Sequence, residues 1–282
     1  MTQKHERYAD LHKHTTSSDG ELTVELIISK AQAEGLSAIA LTDHNCFAIQ
    51  SPIVKDDLEV IPGAEFSSIY EHDEGAKTET HVVGLFFDGV STEMEDVVNK
   101  IDTYAYERAI VLNLNALGLD ITLQEVIDRN HVCRQCNRYQ IADVLIDKGY
   151  ATDRDNAMDL WIGNYSPHYI NPAEHVKYMS MAECVSKISK CGIPVLAHPY
   201  HYHFTEEQIE KMVSYFRSLS DGPMAIEVYY RNYNEDQIRF LESLADKYNL
   251  LRSGGSDRHK KDQKFTRMDG CWFDKLKAAS GK

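Results

Sequence analysis

Short apolar runs recur along this chain, and most of them begin or end on a histidine, an aspartate or a glutamate. Residues 38–42 (Ala-Ile-Ala-Leu-Thr) run into Asp43-His44, residues 58–67 carry Glu65 near their end, and residues 80–87 open with His81. Further on, 193–197 end in His198, and 249–253 lead into Gly254-Gly255-Ser256-Asp257-Arg258-His259. Continuous apolar runs of this length are typical of strands buried on both faces. Between and after them lie stretches at helical spacing: 22–34 with Gly35 as a stop, then 180–190, 205–218 and 234–248, with a further strand at 225–230. Strand and helix in alternation predict βα units and a parallel sheet or barrel. In a barrel of that kind the strand ends converge on one face, where side chains from distant segments build the site.

The first such segment is Asp10-Leu11-His12-Lys13-His14-Thr15-Thr16-Ser17-Ser18-Asp19-Gly20. A strand over 8–14 turns His12 and His14 to the same face, because residues i and i+2 of a strand share one. Two imidazoles and a carboxylate converging on one point suit Zn, Mn or Fe. An isolated His-x-His also fits two surface histidines, and what separates the readings is the recurrence of ligand-type residues: His12, His14, Asp19, His44, Glu65, His81, His198, Asp257 and His259.

Residues 91–177 differ in character. Helical periodicity and charge dominate at 93–117, 122–129, 138–149 and 153–162, with Gly118, Gly149 and Gly163 as punctuation. The division expected is a barrel from 1–90 and 178–282 with a helical insertion domain at 91–177 over the active site. A length of 282 residues accommodates this. The net charge of −14 excludes broad binding to long nucleic acid, which needs basic surface. No apolar run reaches the ~20 residues of a membrane helix, and no apolar leader is evident at the start, so a cytoplasmic location with reduced thiols is expected.

Taken in order, DLHKHTTSSDG, ALTDHN, PGAEFS, HVVGLFF, VLAHPY and GGSDRH resemble the successive motifs of the PHP (polymerase and histidinol phosphatase) superfamily. Within it, the long insertion resembles the branch of 3',5'-nucleoside bisphosphate phosphatases, AMP phosphatases and short-RNA 5'-to-3' exonucleases. The resemblance implies a distorted (β/α)7 barrel carrying two or three divalent ions (Mn, Fe or Zn). By motif, His12, His14, Glu65 and Asp257 hold one ion, Glu65 bridges to a second held by His81 and His198, and Asp19, His44 and His259 hold a third. Three divalent ions outweigh the three carboxylates, so the pocket attracts a phosphate despite the acidic chain, and with two ions the excess shrinks.

The implied activity is hydrolysis of phosphate monoesters of small nucleotides, or of short RNA 5' ends, by a metal-bridging hydroxide positioned by Asp257. Leaving-group protonation stays open between Asp257 and a ligand imidazole such as His198. The substrate's phosphate is expected to meet Arg138, Arg134, Gln140 and His168 of the insertion. Gln140 stands where the branch usually has histidine, and His168 where a basic residue commonly precedes the aromatic. Histidinol-phosphate phosphatase and a non-catalytic PHP module are the alternatives. Lone Cys133-x-x-Cys136 argues against a zinc ribbon. Arg258 is open between a phosphate contact and solvent, and Gly254-Gly255 is read as letting backbone approach the metal cluster.

Overall fold

The computed structural model describes residues 6–87, 104–130, 136 and 138–281. The chain divides into two compact units, one formed by Met1–Val98 with Met179–Lys282 and the other by Asn99–Tyr178.

The larger unit is built on a sheet of β1 (Tyr8–Asp10), β2 (Ala38–Leu41), β3 (Ile53–Lys55), β4 (Leu58–His72), β5 (Ala76–Leu85), β6 (Met179–Ser180), β7 (Ile193–Leu196), β8 (Ala225–Tyr230), β9 (Leu251–Gly255) and β10 (Met268–Asp269). Its order is β10-β1-β2-β4-β5-β7-β8-β9, with β3 and β6 both paired to β4. The far edge returns to the near one: Leu11 N donates to Gly254 O at 2.9 Å, Asp257 N to His12 O at 2.8 Å, and Lys13 bridges Arg258 in parallel. The result is a nearly closed, barrel-shaped sheet in a mixed α/β fold.

The expected parallel arrangement does not hold at β5, nor at the short β3 and β10, which pair antiparallel with β4 and β1. β5 runs antiparallel to both neighbours, β4 and β7, while β1, β2 and β4 are parallel, as are β7, β8 and β9. The reason is the connection. β4 and β5 are joined by a single turn at Asp73–Gly75, with Gly75 at φ 84°. A parallel crossover needs a dozen or more residues, so the chain can only double back. β5 also starts at Ala76, ahead of the expected 80, and His81 therefore lies in mid-strand opposite Ser67.

The helices, in chain order, are α1 (Val24–Ala33), α2 (Ala105–Ala116), α3 (Leu123–Asp128), α4 (Arg138–Asp147), α5 (Arg154–Ala157), α6 (Pro172–His175), α7 (Met181–Ile188), α8 (Glu206–Ser218), α9 (Glu235–Lys247) and α10 (Gly270–Ala279). Strand alternation sorts the core into layers. Ala9, Ala38, Ala40, Ile61, Val83, Leu85, Val195 and Ala225 share one cluster although their strands are far apart in the order, which makes it the barrel interior. Phe273 and Leu276 of α10 close it. The outward residues Ile39, Leu41 and Val60 pack on Ile27, Ile28 and Ala31 of α1. Phe66, Val82, Leu196, Ile226 and Val228 pack on α7, α8 and α9. Reciprocal Ser/Thr/Asn caps at Ser180, Thr205 and Asn234 start those three helices where the sequence places them.

The smaller unit has its own core of Ile110, Leu114, Val126, Ile141, Leu145, Ala157 and Ile162. Of the helix expected over 93–117, residues 93–103 lie outside the described ones and 105–116 form α2. The helix expected over 153–162 is one turn of α5 continued by a π turn at Met158–Ile162.

Candidate metal centre

The site is built from β1 outward. Regular pairing of β1 ends at Asp10, short of the expected His14, yet side chains keep alternating because the chain stays tied on both sides. Lys13 turns into the protein, fully buried, with Nζ bonded to the carbonyls of Asp10 and Ala40 and 3.2 Å from Asp10 Oδ1. His12 and His14 consequently share the opposite face, their ring centroids 5.4 Å apart.

Glu65 is the hub. It is fully buried on β4, and five imidazoles surround it. Oε1 lies 2.9 Å from His81 Nδ1, 2.9 Å from His198 Nε2 and 3.2 Å from His12 Nε2; Oε2 lies 3.0 Å from His44 Nδ1 and 3.2 Å from His14 Nε2. The reversed β5 makes the His81 contact possible, since Glu65 pairs with Val83 and His81 is two residues on, with its side chain on the same face. Asp257, just past β9, places Oδ1 3.1 Å from His14 Nε2 and 3.7 Å from His12 Nε2. Asp19 Oδ1 lies 3.3 Å from His259 Nε2 and 3.6 Å from His14 Nδ1, and its Oδ2 is 3.9 Å from His44 Nε2. All nine residues expected as ligands are thus brought together.

They form overlapping groups whose ligand atoms lie within 4.8 Å of one another: His12, His14, Glu65 and Asp257; His14, Asp19, His44 and His259; His44, Glu65 and His81; and His198, His201 and Asp257. Donors about 2.1 Å from a tetrahedral ion stand roughly 3.4 Å apart, the scale of these separations. His12 Nε2, His14 Nε2, Glu65 Oε2 and His198 Nδ1 are buried without a hydrogen-bond partner. Buried polar atoms ordinarily have one. Three of these four belong to a single ligand group, and an imidazole–carboxylate set of this kind suits a borderline divalent ion.

Electrostatics agree with the geometry. Burial alone would raise the Glu65 carboxyl, but His81, His12 and His44 hold it well below the usual range. Burial likewise opposes ionisation of Asp257, which His259, His14 and His12 keep low. The imidazoles respond in the opposite sense. Burial disfavours their charge, yet Glu65 and Glu79 lift His81 to about 10, and Asp19 and Asp257 lift His259 to about 10. With no cation present, protons on histidine neutralise these carboxylates; bound cations would displace them.

Three supporting residues escaped the sequence reading. Glu227, buried on β8, has Oε1 3.2 Å from His12 Nδ1, while its Oε2 accepts the His198 backbone N–H at 2.8 Å. Tyr230, also on β8, donates its hydroxyl to Asp257 Oδ2 at 3.0 Å. Asp43 accepts from the backbone N–H groups of Thr15 and Ser18 and from the Ser18 hydroxyl at 2.7 Å, which shapes the loop carrying Asp19. The one available signal was an acid inside the apolar run Ala225-Ile-Glu-Val-Tyr-Tyr230. His198 and Asp257 hold positive φ, 29° and 46°, an uncommon conformation for non-glycine residues and one that clusters at functional sites.

Other expectations fare differently. Arg258 does not point to solvent: it is 2% exposed, with Nε on Lys260 O, Nη2 on Lys261 O and the guanidinium 4.8 Å from the Phe265 ring centroid, while its Nη1 has no hydrogen-bond partner. A Cβ on Gly255 would stand 2.1 Å from His12 Cβ, so that glycine is what lets the His12 segment approach β9. In the smaller unit, Arg138 Nη1 donates to Asn164 Oδ1 at 2.6 Å and to Ile162 O at 3.3 Å. There, too, the His168 ring stacks on Trp161 with centroids 5.5 Å apart, and Gln140 is half-buried on α4. Arg134 and Cys133 lie outside the described residues.

Comparison with known proteins follows the same line. Residues 10–253 match the family model described as PHP domain. The 5'-3' exoribonuclease Rnm of Escherichia coli is 27% identical over 89% of this chain and 84% of its own. A 3',5'-nucleoside bisphosphate phosphatase of Chromobacterium violaceum is 27% identical over 89% of this chain and 86% of its own. A solved amidohydrolase from Chromobacterium violaceum, with bound sulfate and no metal, shares the fold at a TM-score of 0.75 and 24% identity, covering 96% of both chains. With the family model spanning most of its length and the motif residues gathered around Glu65, the chain belongs to the PHP domain family.

Proposed function

We propose that this protein hydrolyses phosphate monoesters of small nucleotides, or short RNA 5' ends, using divalent ions held by the cluster around Glu65. At the coarser level it is a PHP-family phosphoesterase, a hydrolase of phosphoric esters. The observation that carries the metal-dependent reading is the set of buried, unpartnered ligand atoms His12 Nε2, His14 Nε2 and Glu65 Oε2, which belong to one ligand group. The naming of two relatives as an exoribonuclease and a nucleoside bisphosphate phosphatase supports a nucleotide or RNA substrate.

The assigned ligands are His12, His14, Glu65 and Asp257; Glu65, His81 and His198; and Asp19, His44 and His259. Bound there, divalent ions supply Lewis acidity toward the phosphoryl oxygens and lower the pKa of water to about 7. The protein does the positioning. Tyr230 fixes Asp257 Oδ2, which leaves Oδ1 facing the pocket to orient the attacking water and hold its proton. Glu227 fixes the His12 ring and the His198 backbone. We assign Arg138, with Arg134, Gln140 and His168, to the substrate's phosphate.

Phosphate release from AMP, 3',5'-bisphosphoadenosine, histidinol phosphate and short 5'-phosphorylated RNA, each with Mn, Fe or Zn, tests this. The nucleotide or RNA substrates should be preferred, and Asp257→Ala should lose at least about 10³-fold of kcat. No release with any ion, or a preference for histidinol phosphate, would overturn the reading.

A further inference from the structure

His201 stands at the cluster without belonging to any of the ligand sets assigned above. Its ligand atom lies within 4.8 Å of those of His198 and Asp257, and its ring centroid is 4.8 Å from that of His198. The ionisable groups that act on it are those of the pocket: His198, Asp257, His81 and Glu65. His198 and Asp257 are buried whereas His201 is exposed, so it occupies the open side of the cluster.

The fold fixes the backbone that carries it. After β7 the chain passes through His198, at φ 29°, into a single tight turn over Pro199–Tyr202. The His201 N–H donates to His198 O at 2.8 Å, which brings both rings from one turn. On one side the Tyr200 N–H donates to the Tyr233 hydroxyl at 3.2 Å. On the other the Tyr202 hydroxyl donates to Ala197 O at 3.1 Å and accepts the His81 N–H at 2.8 Å. Tyr230, whose hydroxyl holds Asp257, packs edge-on to the His198 and His201 rings at 6.0 and 5.5 Å. An exposed imidazole on backbone held this firmly is preorganised, as a ligand position requires.

His198 Nε2 lies 2.9 Å from Glu65 Oε1, while its Nδ1 is buried with no hydrogen-bond partner. Asp257 has Oδ2 on Tyr230 and Oδ1 turned to the imidazoles. We infer that His201 is a metal ligand, completing with His198 and Asp257 a divalent-ion position on the open side of the pocket. The inference rests on the metal-dependent reading above and deepens it, adding a ligand that the sequence motifs do not supply. Two imidazoles and a carboxylate suit the same borderline ions as the rest of the cluster. Three protein donors also leave coordination positions for water or substrate, the arrangement of a catalytic rather than a structural site.

The test titrates Co(II), a first-row divalent ion for the same donors, into the metal-free protein and its His201→Ala and His201→Asp variants. Calorimetry and visible absorption follow the binding. His201→Ala should lose at least about 10-fold in affinity at one Co(II) site, since even a partner behind a ligand is worth about 10- to 100-fold. The absorption of that site should shift as a nitrogen donor leaves. His201→Asp, which returns an oxygen donor, should regain part of the affinity. If His201 touches only substrate, His201→Ala will bind Co(II) as the unmutated protein does, and the inference is overturned. A loss that His201→Asp does not partly restore overturns it as well. Absence of any Co(II) binding by the unmutated protein is a different result, which overturns the metal-dependent reading and this inference with it.

Discussion

Glu227 shows how one side chain can govern a cluster it does not join. Its two oxygens reach His12, after β1, and His198, after β7, so it sets the ring orientation of one expected ligand and the backbone of another. A carboxylate behind a ligating imidazole fixes its tautomer and raises its basicity, and losing such a partner typically costs 10- to 100-fold in metal affinity or activity. Glu227→Gln keeps the shape and one hydrogen-bonding pattern but not the charge. It should weaken metal binding by about that factor while the far-UV spectrum stays unchanged, and metal titration followed by calorimetry would show it. Unaltered affinity would mean that Glu227 merely fills space. Most of the expected ligands were legible because they stand at or near the end of an apolar run, while Asp19 came from the family resemblance. Glu227 was not, because it sits inside one, nor was Tyr230, which ends one without being a ligand type, and only the register of β8 against β9 reveals what they face.

At the scale of elements, the sequence located most strands and helices of the larger unit, because apolar runs and caps mark them locally. It missed β3, β6 and β10, all three residues or fewer, and α10, whose apolar Phe273 and Leu276 matter only once a barrel exists to be closed. It also missed the direction of β5, which depends on a three-residue turn rather than on the strand's own pattern. The closeness of β9 to the His12 segment gives a sharp prediction. Gly255→Ala would drive a methyl group into His12 Cβ at 2.1 Å, with backbone and Glu227 Oε1 also inside 3 Å. The expected result is a destabilisation of about 1–3 kcal/mol and reduced metal content in the folded fraction, measured by denaturant melts and elemental analysis. Gly35→Ala, where an added Cβ meets nothing within 4 Å, should leave metal content unchanged. Strain at φ 72° is the cost at that position.

For the molecule as a whole, the pocket's charge makes stability depend on what neutralises it. In metal-free protein, His81 and His259 have folded-state values near 10, above the ordinary 6.5. A raised value contributes stability fully present below pH 6.5 and lost as pH climbs toward 10. Glu65 and Asp257, held low, contribute in the other direction: their share is present above the ordinary carboxylate range and is lost only in strong acid. Chelator-treated protein should therefore melt at progressively lower temperature between pH 6.5 and 10. Metal-loaded protein should melt higher throughout and fall less steeply, since ions that bind only the native state stabilise it by about 2.7 kcal/mol at a hundred times Kd. Scanning calorimetry across that range, with and without chelator, checks both signs. Parallel curves would show that cations do not replace those protons.

The seam of the barrel has a consequence for biosynthesis. His12 and Asp257 stand on the line where the first strand meets the ninth, and Asp10 fastens to Ser256 across 246 residues of sequence. A ribosome delivers the amino-terminal histidines long before their partners. Until the segment after β9 emerges, His12, His14 and Glu65 remain an incomplete ligand set. The group of His12, His14, Glu65 and Asp257 is therefore completed only once β9 is out, whereas His44, Glu65 and His81 are all in place by residue 81.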